Sequence, residues 1–366
     1  MVVIVNALRT PIGKYGGSLS NLDPEEMLSI LMNNNLSHAG IDSSQIDGIV
    51  IGQTDQKHNS PDLARLSSRQ AGFPGEIIAY TVNSQNEPSI QSINIAYMSI
   101  ITGQSKAMIA GGVGKVSQTI DIQEYITTYH LNAEMIARQY GITREKLDEY
   151  ALSSYIKSRK AIKEEKFVEE IVPIEVKEDN YNNTLFAIDE NPYNIDLNSF
   201  LDLATVYPNG TVTEGNVSGI HDGASTLLLM EEKKAESLGL IPIAQVCTIR
   251  SFGITYKSGK IGNNAITTVI KETLQLIGLD LRDIDLIGLN DSSVAENIVI
   301  LSELKKNFNS SEVNVNGGSI SLGNPVGCTG TCILTSLVHE MKKRNVLYGL
   351  ALSIAEGQEF IVVLKN

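Results

Sequence analysis

Two windows of the chain spell the same small structure. Residues 36–52 read LSHAGIDSSQIDGIVIG, and residues 274–290 read LQLIGLDLRDIDLIGLN. At a constant spacing of 238 residues, Leu36 and Leu274, Gly40 and Gly278, Asp42 and Asp280, Ile46 and Ile284, Asp47 and Asp285, and Ile49 and Ile287 coincide. Each copy is the end of a helix, a glycine able to close it, an Asp-bearing turn and a buried strand. The same order of elements flanks both copies, so the chain is expected to build two similar halves.

Those elements alternate between strand and helix. Apolar runs bounded by turn residues predict buried strands at 2–5, 49–51, 107–110, 226–230, 286–289, 351–354 and 360–364. Helical periodicity covers 24–34, 90–102, 265–277 and 330–343. Such alternation predicts an α/β architecture, with helices covering mostly parallel sheets and the two halves stacked as layers. The length of 366 residues allows two or three domains, and 42% hydrophobic residues supply large cores. With no Trp, that mass comes mainly from Ile, Leu, Val and Ala.

Charge narrows the function. There are 29 Lys and Arg against 42 Asp and Glu, a net charge of −13. A protein that coats nucleic acid or an anionic membrane needs a basic face, so neither partner is expected. Cys247, Cys328 and Cys332 form no CxxC pair with His partners, so neither a disulfide framework nor a metal site is expected. The opening MVVIVNALRTPIG lacks a basic leader, and no apolar run approaches the roughly 18 residues that span a bilayer. A soluble cytoplasmic protein is the expectation.

A different stretch, about 118–209, lies between the halves. It holds a long amphipathic helix over 144–165, with Leu147, Tyr150, Ala151, Ser154, Tyr155 and Ile162 on one face. Lys157, Arg159, Lys160, Lys163 and Lys166 cluster towards its end, as a solvated face favourable to the helix dipole or as a patch for a phosphate-bearing ligand. The Asn- and Asp-rich segment 178–201 reads as loop.

Six motifs in order then carry a resemblance from end to end: ALRTPIGKYGGSLSNLDPEEM (7–27), AYTVN (79–83), AEMIARQYGITREKLDEYALSS (133–154), NGTVTEGNVSGIHDGASTLLLM (209–230), IDLIGLND (284–291) and NVNGGSISLGNPVGCTG (314–330). The chain resembles the thiolase family, acetyl-CoA C-acetyltransferase-like. The resemblance implies the thiolase fold: two duplicated βαβαβαββ halves in five layers, α-β-α-β-α, with an inserted loop domain. It places the N-terminal half at 1–117 and 210–262, the loop domain at 118–209 and the C-terminal half at 263–366. It also implies a dimer that pairs through the first half's sheet and the neighbouring helix.

The family's reaction uses a Cys thiolate at a helix N-terminus, a His that activates it, a second Cys as acid/base, and an Asn that holds an oxyanion-hole water. By this resemblance the nucleophile position falls on Asn86, in TVNSQNEPSIQS. The activating His position falls on Asn324 of Gly323-Asn324-Pro325, and the second Cys position on Ser353. Only Asn290 keeps its family identity. A carboxamide is no nucleophile, and Asn accepts no thiol proton near neutral pH. A serine hydroxyl is a far weaker acid than a thiol. Pro88 suits a first helical turn, while Glu87 brings a negative charge to where an acyl-CoA thioester approaches. The final glycine run is replaced by Ala355-Glu356-Gly357.

Rescue within the chain finds little support. Cys328 stands where active relatives also have Cys and reads as a packing residue. Ser84, Ser89 and Ser92 lie near Asn86 with no His in a matching motif to activate them. His221, in SGIHDGA where Asn is usual, is the one His inside a family motif, and His130 precedes the loop-domain helix. His38, His58 and His339 read as surface residues. For CoA or acyl-CoA as ligand, Ser251 matches a family serine that contacts pantetheine. Against it, the cation that helps hold the nucleotide end falls at Leu203 or Ala204, and the arm from Ser117 to Ala133 is shortened.

Two functions follow. One is a pseudo-thiolase without acyl transfer, requiring no cofactor and acting as an acyl-CoA binder, scaffold or partner, as a homodimer or in a hetero-oligomer with an active thiolase. The other is an acyl-CoA-handling enzyme, acetyl-CoA acetyltransferase-like or a thioester hydrolase or decarboxylase, using Asn86, Asn324 and Asn290 as an oxyanion hole.

Overall fold

A computed structural model describes residues 1–366 except 55–59, 61, 85–86, 118–121, 178–182, 254–264, 308 and 356–357. The first half contains β1 (Val2–Arg9), β2 (Gly13–Lys14), α1 (Pro24–Ala39), β3 (Gly48–Gln53), α2 (Leu63–Gln70), β4 (Ile78–Asn83), α3 (Pro88–Ile101) and β5 (Ala107–Gly114). An insertion follows, with α4 (Ile122–Tyr140), α5 (Arg144–Lys163), β6 (Ile174–Lys177) and β7 (Asn183–Phe186). The chain then returns through β8 (His221–Glu231) and α6 (Glu232–Ser237). The second half contains β9 (Ala244–Phe252), α7 (Ala265–Leu276), β10 (Leu286–Leu289), α8 (Val294–Leu304), α9 (Ser319–Leu322), α10 (Thr329–Arg344), β11 (Tyr348–Ala355) and β12 (Gln358–Lys365).

The duplication is visible in the sheets. The first runs β4-β3-β5-β8-β1, with β3, β4 and β5 parallel and β8 antiparallel to β5 and β1. The second runs β10-β11-β12-β9 with the same pattern of directions, and Val313 adds a parallel bridge to Ile287 at its outer edge. Three antiparallel pairs between β1 and β9 join the two. β9, placed in the first half from the sequence, is thus the leading strand of the second sheet. We place the boundary between the halves at the α6–β9 connection.

The repeated windows fold alike because they face the same local demands. Gly40 and Gly278 close α1 and α7 in the left-handed region, at φ 64° and 75°, where a Cβ is costly. Asp47 Oδ2 accepts the amides of Lys106 and Ala107 at the head of β5. Asp285 Oδ2 accepts those of Leu347 and Tyr348 at the head of β11. The two aspartates hold β3 to β5 and β10 to β11 in register.

Five layers result. Successive strand residues point to opposite faces, so β8 sends Leu228 and Met230 to a core with Met27, Leu28, Leu31 and Met32 of α1. It sends Leu227 and Leu229 to the central core, against Ile90, Ile93 and Ala96 of α3 and Leu334 and Val338 of α10. On the far side, Ile361 and Val363 of β12 meet Ile270 and Leu274 of α7 and Val299 and Ile300 of α8. Helices α3 and α10 therefore lie between two sheets, which is why their sequences are apolar on more than one face.

In the insertion, Leu147, Tyr150, Ala151, Ser154 and Tyr155 of α5 are buried as expected, with Ile162 half-buried. Two of the clustered cations are structural: Lys157 Nζ donates to Val313 O at 3.0 Å, and Arg159 to Pro192 O at 2.7 Å and Ile195 O at 2.6 Å. Lys160 and Lys163 face solvent. The segment read as loop contains β7, which pairs antiparallel with β6. Its alternation is too short and too polar to announce a strand.

Arg9 at the end of β1 ties the insertion to the first half. Its Nε donates to Glu170 Oε1 at 2.8 Å, and its Nη1 and Nη2 donate to Asp189 at 2.8 and 3.0 Å. All three side chains are buried. Burial opposes the guanidinium charge, but Asp189 and Glu170 outweigh it and hold the pKa above its ordinary value. No helix among the described residues is long and apolar enough to cross a membrane.

Candidate active site

The first turns of α3 and α10, the C-terminal end of β10 and the end of β11 converge on one buried spot. Asn86 lies outside the described residues. The next residue, Glu87, caps α3 with left-handed backbone, φ 52° and ψ 44°, and Pro88 opens the helix as its sequence suits. The Glu87 carboxyl turns inward, 7% exposed, and its Oε1 accepts a hydrogen bond from Asn290 Nδ2 at 2.9 Å. A Cβ on Gly330 would stand 2.7 Å from Glu87 Oε2, so glycine at the start of α10 makes room for the carboxyl. Burial raises the Glu87 pKa, against the Ser353 hydroxyl, the Asn290 amide and the Gly330 backbone amide, which favour the carboxylate.

The other sequence-predicted residues have definite places. Asn290 is buried, with Nδ2 donating to Glu87 Oε1 and Oδ1 accepting from Ser292 N at 3.2 Å. Asn324 is buried, with Oδ1 accepting from Thr329 Oγ1 at 2.6 Å. Ser353, on β11, is 3% exposed; its Oγ faces the Glu87 carboxyl without reaching hydrogen-bonding geometry to any described group. Ser251 is exposed on β9, paired with Phe360, which pairs in turn with Ser353. Paired residues share a face, so Ser251 lies in the Ser353 row with Phe360 between them. Asn290 and Ser353 are thus brought together around Glu87, and Ser251 stands apart.

The nearby nucleophile candidates are engaged in packing. Ser92 Oγ donates to Gly111 O at 2.6 Å, and Ser89 Oγ accepts from Thr331 N at 3.3 Å, stitching α3 to β5 and α10. Cys328 Sγ donates to Gly223 O at 3.2 Å and lies 3.8 Å from Cys332 Sγ. Burial, then the neighbouring Cys332 thiol, pushes Cys328 well above the usual thiol range, so it stays protonated and unreactive. His339, read as a surface residue, is buried in α10 with Nε2 2.9 Å from Ala7 O. His58 lies outside the described residues. Asp291 was passed over in the sequence, though it stands beside Asn290. Its carboxylate takes Ile320 N at 3.1 Å, Asn314 Nδ2 at 2.9 Å and Tyr150 OH at 3.3 Å, joining insertion to second half.

His221 meets the site from behind. Its Nδ1 accepts the Asn324 backbone N–H at 3.0 Å, and its own N–H donates to Asn324 O at 3.3 Å. An accepting Nδ1 requires a neutral ring with the proton on Nε2. Burial lowers the pKa to about 4, although the Gly219 backbone and Asp222 favour the charged form. The unfolded chain, with an ordinary imidazole near 6.5, therefore takes up this proton first as the pH falls. Stability should drop between pH 6.5 and 4 by about 3 kcal/mol from this residue, and no further below. Urea unfolding at several pH values is expected to show a flatter profile in that window for His221→Asn than for wild type. Identical slopes would refute the assignment.

A cavity of about 500 Å³ lies where the insertion meets the first half, lined by Lys14, His130, Tyr155, Leu203, Glu214 and His221 among others. Burial lowers the His130 pKa against the charge of Glu214, so neither imidazole adds positive charge near neutral pH. Lys14 is the single Lys or Arg among its described lining, and residues 178–232 contain neither. No group of three metal-ligating side chains forms among the described residues.

Comparison with known proteins agrees with this architecture. The family described as "Thiolase, N-terminal domain" matches residues 2–128 and 121–233, and "Thiolase, C-terminal domain" matches 242–366. The chain is 35% identical to a 3-ketoacyl-CoA thiolase of Bacillus subtilis over 377 residues, covering 95% of this chain and 94% of that protein. It is 34% identical to an acetyl-CoA acetyltransferase of Escherichia coli over 394 residues, covering 100% and 98%. The crystal structure of Bacillus anthracis acetyl-CoA acetyltransferase superposes with a TM-score of 0.91 at 31% identity, covering 100% of this chain and 98% of that one. Human mitochondrial 3-ketoacyl-CoA thiolase gives 0.90 at 27%, with the same coverage. Two matching domain families, relatives covered over nearly their whole length and close structural superposition carry a single conclusion: the chain belongs to the thiolase family.

Proposed function

We propose that this chain is a pseudo-thiolase, a member that keeps the fold and has lost acyl transfer. The observation that carries the reading is the buried cluster itself. The position of the activating base holds Asn324, whose side-chain oxygen is taken by Thr329. The acid/base position holds Ser353, and the Asn290 amide is spent on the Glu87 carboxyl. None of these groups moves a thiol proton near neutral pH. The remaining role is that of a binder, scaffold or partner. A turnover assay with acetoacetyl-CoA and CoA tests it: a rate at background supports the reading. A rate well above background that is lost on changing Asn324 or Ser353 would overturn it in favour of an enzyme with an Asn-based oxyanion hole. Calorimetric titration with CoA in parallel reads ligand capture, and the cavity's anionic balance argues for weak binding of the nucleotide end.

We also propose a homodimer. Edge strand β4 exposes Ile78 at 62% and Tyr80 at 37%, and the adjacent α3 exposes Met98 and Ile101. An open apolar edge of this kind invites a second strand. Light scattering after gel filtration is expected to give twice the chain mass for wild type and a substantially lower mass for Ile78→Lys. A monomeric wild type would redirect the same face to an active relative as partner. The free thiols of Cys247, Cys328 and Cys332 fit a reducing, cytoplasmic location.

A further inference from the structure

Glu87 is held where a carboxylate meets donors and almost no water. A residue with a Cβ pays strain for left-handed backbone, and strain of this kind concentrates at sites where something else is secured by it. Here the strain directs the side chain inward from the first residue before α3. Oε1 takes the Asn290 amide at 2.9 Å, and Oε2 lies in the space that Gly330 leaves open. Burial raises the Glu87 pKa, and the Ser353 hydroxyl, the Asn290 amide and the Gly330 amide act against that rise. Ser353 Oγ, 3% exposed and without a hydrogen-bond partner, faces the same carboxyl. One donor bonds the carboxyl and an unpartnered hydroxyl from a separate strand faces it, beside space that a glycine leaves open, and that is the construction of a site for a carboxyl group.

We propose that this cluster is a binding site for one carboxylate group, which the chain fills with its own Glu87 side chain and thereby closes to small carboxylate ligands from solution. A tethered ligand acts at high effective concentration, so an external acetate competes poorly while Glu87 is present. Once the side chain is removed, Asn290, Gly330 and Ser353 remain in place and accept acetate. The Asn290 amide is held by Ser292 N on its oxygen, and Gly330 by the α10 helix, so neither depends on Glu87 for its position. This stands independently of whether turnover is lost, because it is read by binding.

Acetate, with chloride as comparator, is titrated into wild type, Glu87→Gly and Glu87→Gln, using thermal unfolding and calorimetry. Glycine suits left-handed backbone, so Glu87→Gly keeps the helix start. The expected result is a rise in Tm for Glu87→Gly that saturates with acetate, and binding at least about tenfold tighter than in wild type. Glu87→Gln, which still fills the space, should respond as weakly as wild type. An equal acetate response in wild type and Glu87→Gly, or a chloride response as large as that of acetate, would overturn the proposal. If Glu87→Gly is unfolded, recovery of its fold by acetate supports the site, and failure to recover refutes it.

Discussion

Purified protein supplied with acetoacetyl-CoA and CoA is expected to produce acetyl-CoA at least about 10⁴-fold more slowly than an active relative, since a positioned acid or base alone contributes about 10²–10⁴. Groups that act as a unit fail as a unit, so on the proposed assignment, with nucleophile, base and acid replaced together, little is left for Asn290 to do. Repair should follow the same logic. Asn86→Cys with Asn324→His and Ser353→Cys restores the three reacting groups but leaves Glu87 on the Asn290 amide. That triple variant is expected to stay at background, and adding Glu87→Gly to bring measurable thiolysis. Activity in the triple variant equal to that of the quadruple one would show that Glu87 does not obstruct the centre.

The largest effect on stability is expected at Arg9. Breaking a buried ion pair from one side leaves charge without compensation, at a cost of about 3–5 kcal/mol. Arg9→Met does so twice, stranding Glu170 and Asp189, while also losing the guanidinium's place 5.2 Å from the Phe167 ring centre. Asp189 would keep one partner, the Ile12 amide at 2.7 Å, and Glu170 would keep Ser336 Oγ at 2.8 Å. Urea unfolding should therefore show Arg9→Met among the most damaging single changes in the chain. Combining it with Glu170→Gln and Asp189→Asn should recover much of the loss, because neutral amides are cheaper to bury than bare carboxylates. A triple variant no more stable than Arg9→Met would place the effect in packing.

The halves were legible in the sequence because duplication wrote the same local signals twice. A glycine at 40 and 278 closes its own helix, and an aspartate at 47 and 285 reaches the head of a strand 59 and 62 residues further on, so both copies carry the same work. Of the proposed site, Asn290, Asn324 and Ser353 sit in strong motifs, and their side-chain chemistry follows from residue type. What the sequence hid was direction. That Glu87 turns inward depends on left-handed backbone and on Gly330, 243 residues later. Arg9 finds its partners 161 and 180 residues away, which no periodicity announces. β9 was misplaced because a strand's own sequence does not say which sheet it joins, and β7 was missed because its apolar content is slight.

The pairing of β1 also bears on how the protein is made. Val2 lies opposite Glu231 in β8 and opposite Val246 in β9. On a ribosome, β1 emerges long before its partner strands β8 and β9, and the whole insertion must pass before its sheet can close. Contacts so distant in sequence form slowly, and an apolar strand left waiting is open to wrong pairing. Strand β1 is thus made well before it is secured, which makes this eight-residue strand a natural client for chaperones during translation.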